Sequence, residues 1–319
     1  MMNIVHISKT PLAGSPNRFS DELNKLDTVQ SVCFIERDYP GDLCGKFIGS
    51  SIIINQNTKP LLIDVVSKAD VCHIHNDLSH EIINLILSNC KQCKFIYHVH
   101  SPLREGPLFF YNYESMGIDF FRKIVVAQYH PRLYQDFIPL LNIVPFKPNL
   151  SPTPITDKIR IIFSPSHNRV GGRWNDKTST ELRNALNLIS KKDDIELVIP
   201  DKLSPHTLFE LRRSCHITID EIVTGSYHQI SLEGLAAGNV VINNSDCLSN
   251  TFLEQVAEAD SAPPFIIMNN KNVTHKLNEL INNRDEIIKI QHSSLSYYNS
   301  FLLPGKTISR LLQIYNGEI

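Results

Sequence analysis

Short apolar, strand-like runs alternate with helix-like segments along this chain, and the pattern is laid down twice. "NIVHIS" (3–8), "VCFIE" (32–36), "SIIIN" (51–55), "VCHIH" (71–75), "KFIYHVH" (94–100), "KIVVAQ" (123–128) and "LNIVPF" (141–146) read as strands, with "KPLLIDVVSKA" and "HEIINLILSNC" as helices among them. Strand–helix alternation of this kind builds βαβ units and a parallel sheet. "KPNLSPTPITDK" (147–158) then places three prolines in one short stretch, a linker composition. The pattern restarts with "IRIIFSPS" (159–166), "TSTELRNALNLIS", "IELVIP" (195–200), "SPHTLFELRRS", "HITIDEI" (216–222) and "NVVIN" (239–243), and closes in a helical tail from about 272. The expectation is two doubly wound α/β domains facing a cleft, 1–148 and 149–300, followed by a last helix over 301–319.

Composition narrows the class of protein. The chain has 319 residues, 42% hydrophobic and 20% charged, as an ordinary globular protein does. Its 31 basic and 33 acidic side chains leave a formal charge of −2, which advertises neither a nucleic-acid nor a membrane-surface protein. No nucleic-acid partner is therefore expected. "MMNIVHIS" lacks the charged start of a signal peptide and reads as a strand. No apolar run approaches the ~18–20 residues that cross a bilayer. Seven scattered cysteines suit reduced thiols and a cytoplasmic location, and Cys90 and Cys93 have C-x-x-C spacing without a second pair to complete a zinc site.

Ligands of doubly wound sheets bind beyond the carboxyl ends of the strands, so the residues just after each strand carry the functional argument. His73 and His75 end one strand, and His98 and His100 end another. Within each H-x-H pair both side chains point to the same side. Three readings stay open: a four-histidine metal site, one histidine per strand end facing a substrate, or satisfied core histidines. The first βα turn has Gly14 but no G-x-G-x-x-G fingerprint, and P-loop and nucleophile-elbow motifs are absent. "SPSHNRVGGRWNDKTSTEL" (164–182) clusters Arg169, Arg173 and Lys177 just before a helix, a natural anion site for a diphosphate, with solvated loop charges as the plainer reading. In "TGSYHQISLEGLAAG" a helix is expected to begin near Ser226–Gln229, with Glu233 about one turn in, able to accept hydrogen bonds from a vicinal diol such as a ribose. Gly238 suits a left-handed cap, and Gly234, Ala236 and Ala237 allow close packing on the sheet.

These residues resemble a family. "ISLEGLAAGNVVI" resembles the hallmark segment of family-4-type glycosyltransferases of the GT-B fold, an E-x7-E motif with a Leu-Glu-Ala-Met-Ala-x-Gly-x-Pro-Val-Ile run. "ADVCHIHND", "FIYHVHSP" and "GRWNDKTSTELRNAL" resemble further family segments, and "YYNSFLLPGKTISRLLQIY" resembles the terminal helices, the last of which crosses back to the first domain. The resemblance implies two Rossmann-like domains and transfer of a hexose-type sugar from a nucleotide diphosphate donor to a hydroxyl of a glycan or lipid-linked acceptor. Retention of configuration is implied, with no metal and no cofactor besides the donor. It implies that Glu233 holds the donor ribose, with Arg169, Ser226, His228, Gln229 and Ile230 around the donor. Arg173 and Lys177 then neutralise the diphosphate, and His100 lies near the reacting sugar. Gly14, His75 and Arg104 face the sugar or acceptor. Peripheral contact with the inner face of a membrane is compatible with the family, and abundant Asn, Ile and Lys suggest an AT-rich genome and a role in surface polysaccharide. One departure stands out: Gly225 occupies the place of the first Glu of the motif, and Glu221 lies four residues too early to replace it.

Overall fold

The computed structural model describes residues 1–100, 110–129, 134–165 and 178–319. Packing divides the chain into one unit of Met1–Pro145 with Pro304–Ile319 and a second of Phe146–Leu303.

The first unit is built on seven parallel strands, β1 (Met2–Ser8), β2 (Val29–Ile35), β3 (Ile52–Ile53), β4 (Val71–His75), β5 (Lys94–Val99), β6 (Phe120–Val126) and β7 (Ile138–Leu140). Their spatial order is β3-β2-β1-β4-β5-β6-β7, so the chain reverses direction across the sheet between β1 and β4. Helices α1 (Ser15–Leu23), α2 (Lys59–Ser67), α3 (His80–Asn89) and α4 (Phe110–Ser115) connect them. The pleat sends Val5, Ile7, Cys72, Ile74, Tyr97, Val99 and Val125 into one core layer. Ile4, Val71, Ile96 and Ile124 point to the opposite face, as period-two alternation requires.

The second unit holds α5 (Thr180–Ile189), α6 (Pro205–Arg213), α7 (Gln229–Ala236), α8 (Cys247–Ala257), α9 (Val273–Ile281) and α10 (Arg284–Phe301) around five parallel strands. These are β8 (Ile159–Phe163), β9 (Ile195–Val198), β10 (Ile217–Ile219), β11 (Val240–Asn243) and β12 (Phe265–Ile267), in the order β12-β11-β10-β8-β9. Here the reversal lies between β8 and β10. Ser179 and Ser204 cap α5 and α6 by accepting from Leu182 N and Thr207 N, as Ser at an N-cap does. Segment α8, capped by Asp246, and strand β12 are additions to the elements expected from sequence.

A final helix, α11 (Pro304–Asn316), packs within the first unit. Its buried residues Ile308, Leu311, Ile314 and Tyr315 join Ile4, Phe19, Val71 and Ile96 in one cluster, each such side chain contributing about 1.5–3 kcal/mol by leaving water. Tyr315 also fixes its end, since Lys94 Nζ donates to the Tyr315 carbonyl at 2.9 Å.

Two expectations are corrected. "LNIVPF" is not a strand: the edge strand is Ile138–Leu140, and Leu141, Ile143 and Val144 are buried outside the sheet. Their segment is held against α1, with Ser15 Oγ donating to Asn142 Oδ1 and Arg18 Nη1 to the Ile143 carbonyl. Cys90 and Cys93 are not free thiols but are joined as a disulfide across the turn from α3 to β5. Among the described residues no helix is long and apolar enough to cross a membrane.

Candidate functional sites

The reversal points position two candidate sites, one in each unit, because loops leaving neighbouring strands there diverge and open a crevice at the carboxyl edge. In the first unit the strands concerned end at Ser8 and His75, which are partners in the ladder. The loop after Ser8 takes Leu12, Ala13 and Gly14 through consecutive positive φ values of 47°, 55° and 86° before α1 begins. The first two are unfavourable for residues with a Cβ. Gly14 caps α1 in the left-handed conformation that glycine takes without penalty.

Five histidines gather on one face of this sheet. His6 pairs with His73 in the β1–β4 ladder, and His75 with His98 in the β4–β5 ladder. His100 follows two residues after His98, so the same pleat carries all five to the α1–α11 side. His6, His73, His75 and His98 are fully buried. Phe19 of α1 stacks against His75, and Tyr315 of α11 meets His73 edge-on. His6 Nδ1 lies 2.9 Å from His75 Nε2, His75 Nδ1 lies 2.8 Å from His100 Nε2, and His73 Nδ1 lies 2.6 Å from Tyr315 Oη. Desolvation, with repulsion from neighbouring rings, lowers the pKa of His6 from 6.5 to about 3 and holds His73, His75 and His98 well below 6.5. His100, partly buried, is lowered to about 3 by desolvation. The cluster is therefore neutral at pH 7.

The H-x-H pairs do share a face, and β1 supplies a fifth ring that its isolated histidine in sequence did not announce. Two triplets, His6–His73–His75 and His75–His98–His100, bring ring nitrogens within 4.8 Å of one another. Imidazole suits zinc, copper or nickel. These triplets, however, contain no carboxylate or thiolate to offset a divalent charge in an interior that already keeps the rings uncharged, and two of the closest nitrogen pairs are at hydrogen-bond distance. The donor set fits a metal poorly. Asn76 was also not foreseen: with φ 53° its side chain accepts from the His100 N–H at 2.8 Å, and its own N–H donates to the His98 carbonyl, splicing the ends of β4 and β5.

In the second unit the strands concerned end at Phe163 and Ile219, which are partners in the ladder. The loop after β10 turns on two acids. Asp220 Oδ2 accepts from His228 N at 2.8 Å and from Ser231 Oγ at 2.7 Å, holding the first turn of α7, where a negative charge meets the positive helix end. Glu221 folds onto its own loop, accepting from Val223 N, Thr224 N and Thr224 Oγ1. Gly225 follows at φ 79°. Helix α7 starts after His228, within the expected interval, and ends where Gly238, at φ 71°, lets Asn239 N return to the Gly234 carbonyl at 3.0 Å. A Cβ on Gly234 would sit 2.7 Å from Val241 Cγ2, so the helix lies as close to the sheet as the small residues suggested.

Glu233 is buried on this helix. Its Oε2 is 3.6 Å from Nη2 of Arg212, itself fully buried at the end of α6, and its Oε1 accepts from Gln229 Nε2 at 3.4 Å. Burial lowers the Arg212 pKa, and the charges of Glu233 and Asp220 oppose that shift. Arg212 was invisible in sequence because an Arg in the last turn of a helix ordinarily serves the helix dipole from the surface. Ser226 and His228 are buried beside Asp220 and Glu221, whereas Gln229 and Ile230 are partly exposed. Arg104, Arg169, Arg173 and Lys177 lie outside the described residues. A cavity of about 650 Å³ lined by Asp260, His292, Tyr297 and Phe301 lies along α10 rather than at the carboxyl ends of the strands.

The sequence matches no family model and no curated protein. Solved structures do match over nearly their whole length. An alpha-glucosyltransferase in complex with UDP and a 13-mer DNA containing a HMU base superposes with a TM-score of 0.65 at 10% identity, covering 99% of this chain and 100% of that one. A glycosyltransferase from Rickettsia africae ESF-5 gives 0.62 at 16% identity, over 99% and 98%. A UDP-N-acetylglucosamine 2-epimerase gives 0.51 at 10%, over 100% and 98%. Nucleic acid, set aside above as a partner, is readmitted: a protein of this fold is solved on DNA, so a near-neutral chain of this architecture gives no ground for the exclusion. At such identities the likeness is one of fold, and two Rossmann-like parallel-sheet units with these neighbours are the GT-B fold.

Proposed function

We propose that the chain is a glycosyltransferase that takes a hexose-type sugar from a nucleotide diphosphate donor and passes it to an acceptor hydroxyl. The observation that carries this reading is Glu233. It is a buried carboxylate, held by Arg212 and Gln229, about one turn into the helix that opens beside the reversal point of the second sheet. A carboxylate has about four acceptor positions, and this environment leaves capacity for a ribose diol. Arg173, Lys177 and Arg169 are proposed, on the sequence resemblance, to stabilise the departing diphosphate, which is where much of the rate of such a transfer arises. Ser226, His228, Gln229 and Ile230 surround the donor in this reading. His100, with Gly14 and Arg104, serves the sugar or acceptor; His75, expected from sequence to join them, is fully buried with both ring nitrogens on His6 and His100, and acts only behind His100. Retention of configuration and independence from metals and other cofactors belong to the same proposal, as does action inside the cell on a glycan or lipid-linked acceptor. A DNA acceptor, as in the alpha-glucosyltransferase complex, belongs in the same assay panel.

The test is thermal stability across nucleoside diphosphates and nucleotide sugars, with and without chelator, for wild type and Glu233→Gln. Ligand at 100 times its Kd adds about 2.7 kcal/mol. Stabilisation by one nucleotide, weakened in the variant, supports the reading; a flat response to every nucleotide overturns it. A second reading, a nucleotide-sugar binder without transferase activity, is favoured by one observation. Gly225 replaces the first Glu of the motif, and Glu221 is committed to its own loop. Donor hydrolysis in the absence of acceptor separates the two.

A further inference from the structure

The fully buried His75 uses both ring nitrogens on other imidazoles: Nε2 lies 2.9 Å from His6 Nδ1, and Nδ1 lies 2.8 Å from His100 Nε2. A neutral imidazole has one N–H and one lone pair. His75 must therefore donate at one end and accept at the other, and the three rings form a chain with a single polarity. In one polarity His6 Nδ1–H donates to His75 and His75 Nδ1–H donates to His100, leaving a lone pair on His6 Nε2 and a proton on His100 Nδ1. In the other every proton moves to the opposite nitrogen, leaving an N–H on His6 Nε2 and a lone pair on His100 Nδ1. His6 Nε2 is buried without a hydrogen-bond partner among the described residues. A stranded acceptor is tolerated in protein interiors more readily than a stranded N–H, so the first polarity is favoured.

We propose that His6 and His75 are positioning residues that fix the tautomer of His100, so that it presents Nδ1–H as a hydrogen-bond donor at the carboxyl end of β5. The backbone on either side is pinned to suit, since Asn76 Oδ1 accepts from His100 N at 2.8 Å. The cost of burying His6 and His75, neither of which reaches the surface, is then explained by the orientation they impose on a third ring that does. The functional half of this inference rests on the glycosyltransferase reading, in which His100 meets the sugar or acceptor: His100 would donate to an oxygen there rather than take its proton. The structural half stands without that reading.

Long-range ¹⁵N–¹H correlation spectra of the protein labelled with ¹⁵N-histidine read each tautomer directly, with His100→Gln assigning the His100 signals. The expected result at pH 7.5 is a single His100 form protonated at Nδ1. A form protonated at Nε2, or exchange between the two, overturns the proposal. His75→Asn places an amide N–H where His75 Nδ1 donates and is expected to keep His100 in the Nδ1–H form. His75→Ala removes the donor and is expected to release His100 into a mixture. If the alanine variant keeps the Nδ1–H form, the chain does not set the tautomer and the proposal fails. With a nucleotide-sugar assay in hand, kcat should be lower in His75→Ala than in His75→Asn at unchanged donor KM. Absence of any turnover in wild type would count against the transferase reading and leave the spectra to decide the tautomer.

Discussion

Arg212 and Glu233 lie 3.6 Å apart, Nη2 to Oε2, in a second-unit interior where Arg212 has no exposed surface and Glu233 has almost none. The separation is that of an ion pair without a good hydrogen bond. Among the described residues the guanidinium's other contacts, to Thr218 Oγ1 and Ser164 Oγ, are both 3.4 Å, and its Nε has no partner. Each charge therefore depends on the other for its tolerance in the core. Removing either partner alone, by Arg212→Ala or Glu233→Ala, is expected to destabilise by about 3–5 kcal/mol. The double variant Arg212→Met with Glu233→Gln should cost less than the sum of its single changes. Urea unfolding of the four proteins measures this; strict additivity would show that the pair is not coupled. It follows that ligand tests at this position need Glu233→Gln, since a truncated side chain would confound binding with stability.

The histidine face sets a pH limit. Above pH 6.5 the rings are neutral whether the chain is folded or not, and stability is insensitive to them. Below 6.5 the unfolded chain takes up protons while the folded rings, with pKa lowered to about 3 for His6 and also well below 6.5 for His73, His75 and His98, do not. Stability is thus present above 6.5 and is lost as pH falls towards 3. Each ring costs about 1.4 kcal/mol per pH unit. At pH 5.5 the four fully buried rings cost together roughly 6 kcal/mol, comparable with the whole stability of many domains. Amide exchange in β4 and β5 should accelerate sharply between pH 6.5 and 5, and His98→Phe should flatten the dependence by one ring. Protection unchanged down to pH 5 would contradict the burial of these rings.

Tyr315 and His73 tie the last helix to the sheet through one hydrogen bond of 2.6 Å between two residues with no exposed surface. Tyr315→Phe strands His73 Nδ1, and its Nε2 already lacks a partner among the described residues. The expected cost is about 1–3 kcal/mol, the penalty for a buried polar group left alone. His73→Phe made together with Tyr315→Phe removes both polar groups and should recover part of that loss. A double variant no more stable than Tyr315→Phe would show that packing, not the hydrogen bond, holds the helix.

The residues that could be read in advance are those whose role is local. A run of apolar residues announces a strand, Ser204 before Pro205 announces a helix start, Gly238 announces a cap, and H-x-H spacing places two rings on one face. What could not be read depends on strand order or on partners far along the chain. His6 joins the cluster because β1 and β4 are neighbours in that register. Glu233 meets Arg212 because α6 and α7 flank β10, and 20 residues of intervening chain hide the pairing. Asp220, which reads as a strand-end acid, holds the first turn of α7 only because the loop folds back over eight residues. "LNIVPF" misled because apolar content reports burial, and here burial is against α1 rather than in the sheet.

Gly225 bears on whether the missing motif Glu can be restored. The obvious repair is Gly225→Glu, which returns the E-x7-E spacing to Glu233. The backbone at Gly225 has φ 79°, a region that L side chains rarely adopt. Its carbonyl is also in use, accepting from Asp246 N at 3.1 Å and Ser249 Oγ at 3.2 Å, so a change of φ there would pull on the cap of α8. Gly225→Ala is expected to cost about 1–2 kcal/mol, from strain alone. Gly225→Glu should cost at least as much, without raising nucleotide affinity or turnover. Equilibrium unfolding and the nucleotide panel decide it: a glutamate variant as stable as wild type and better at transfer would show that the loop reshapes readily and that this position retains the role of the motif.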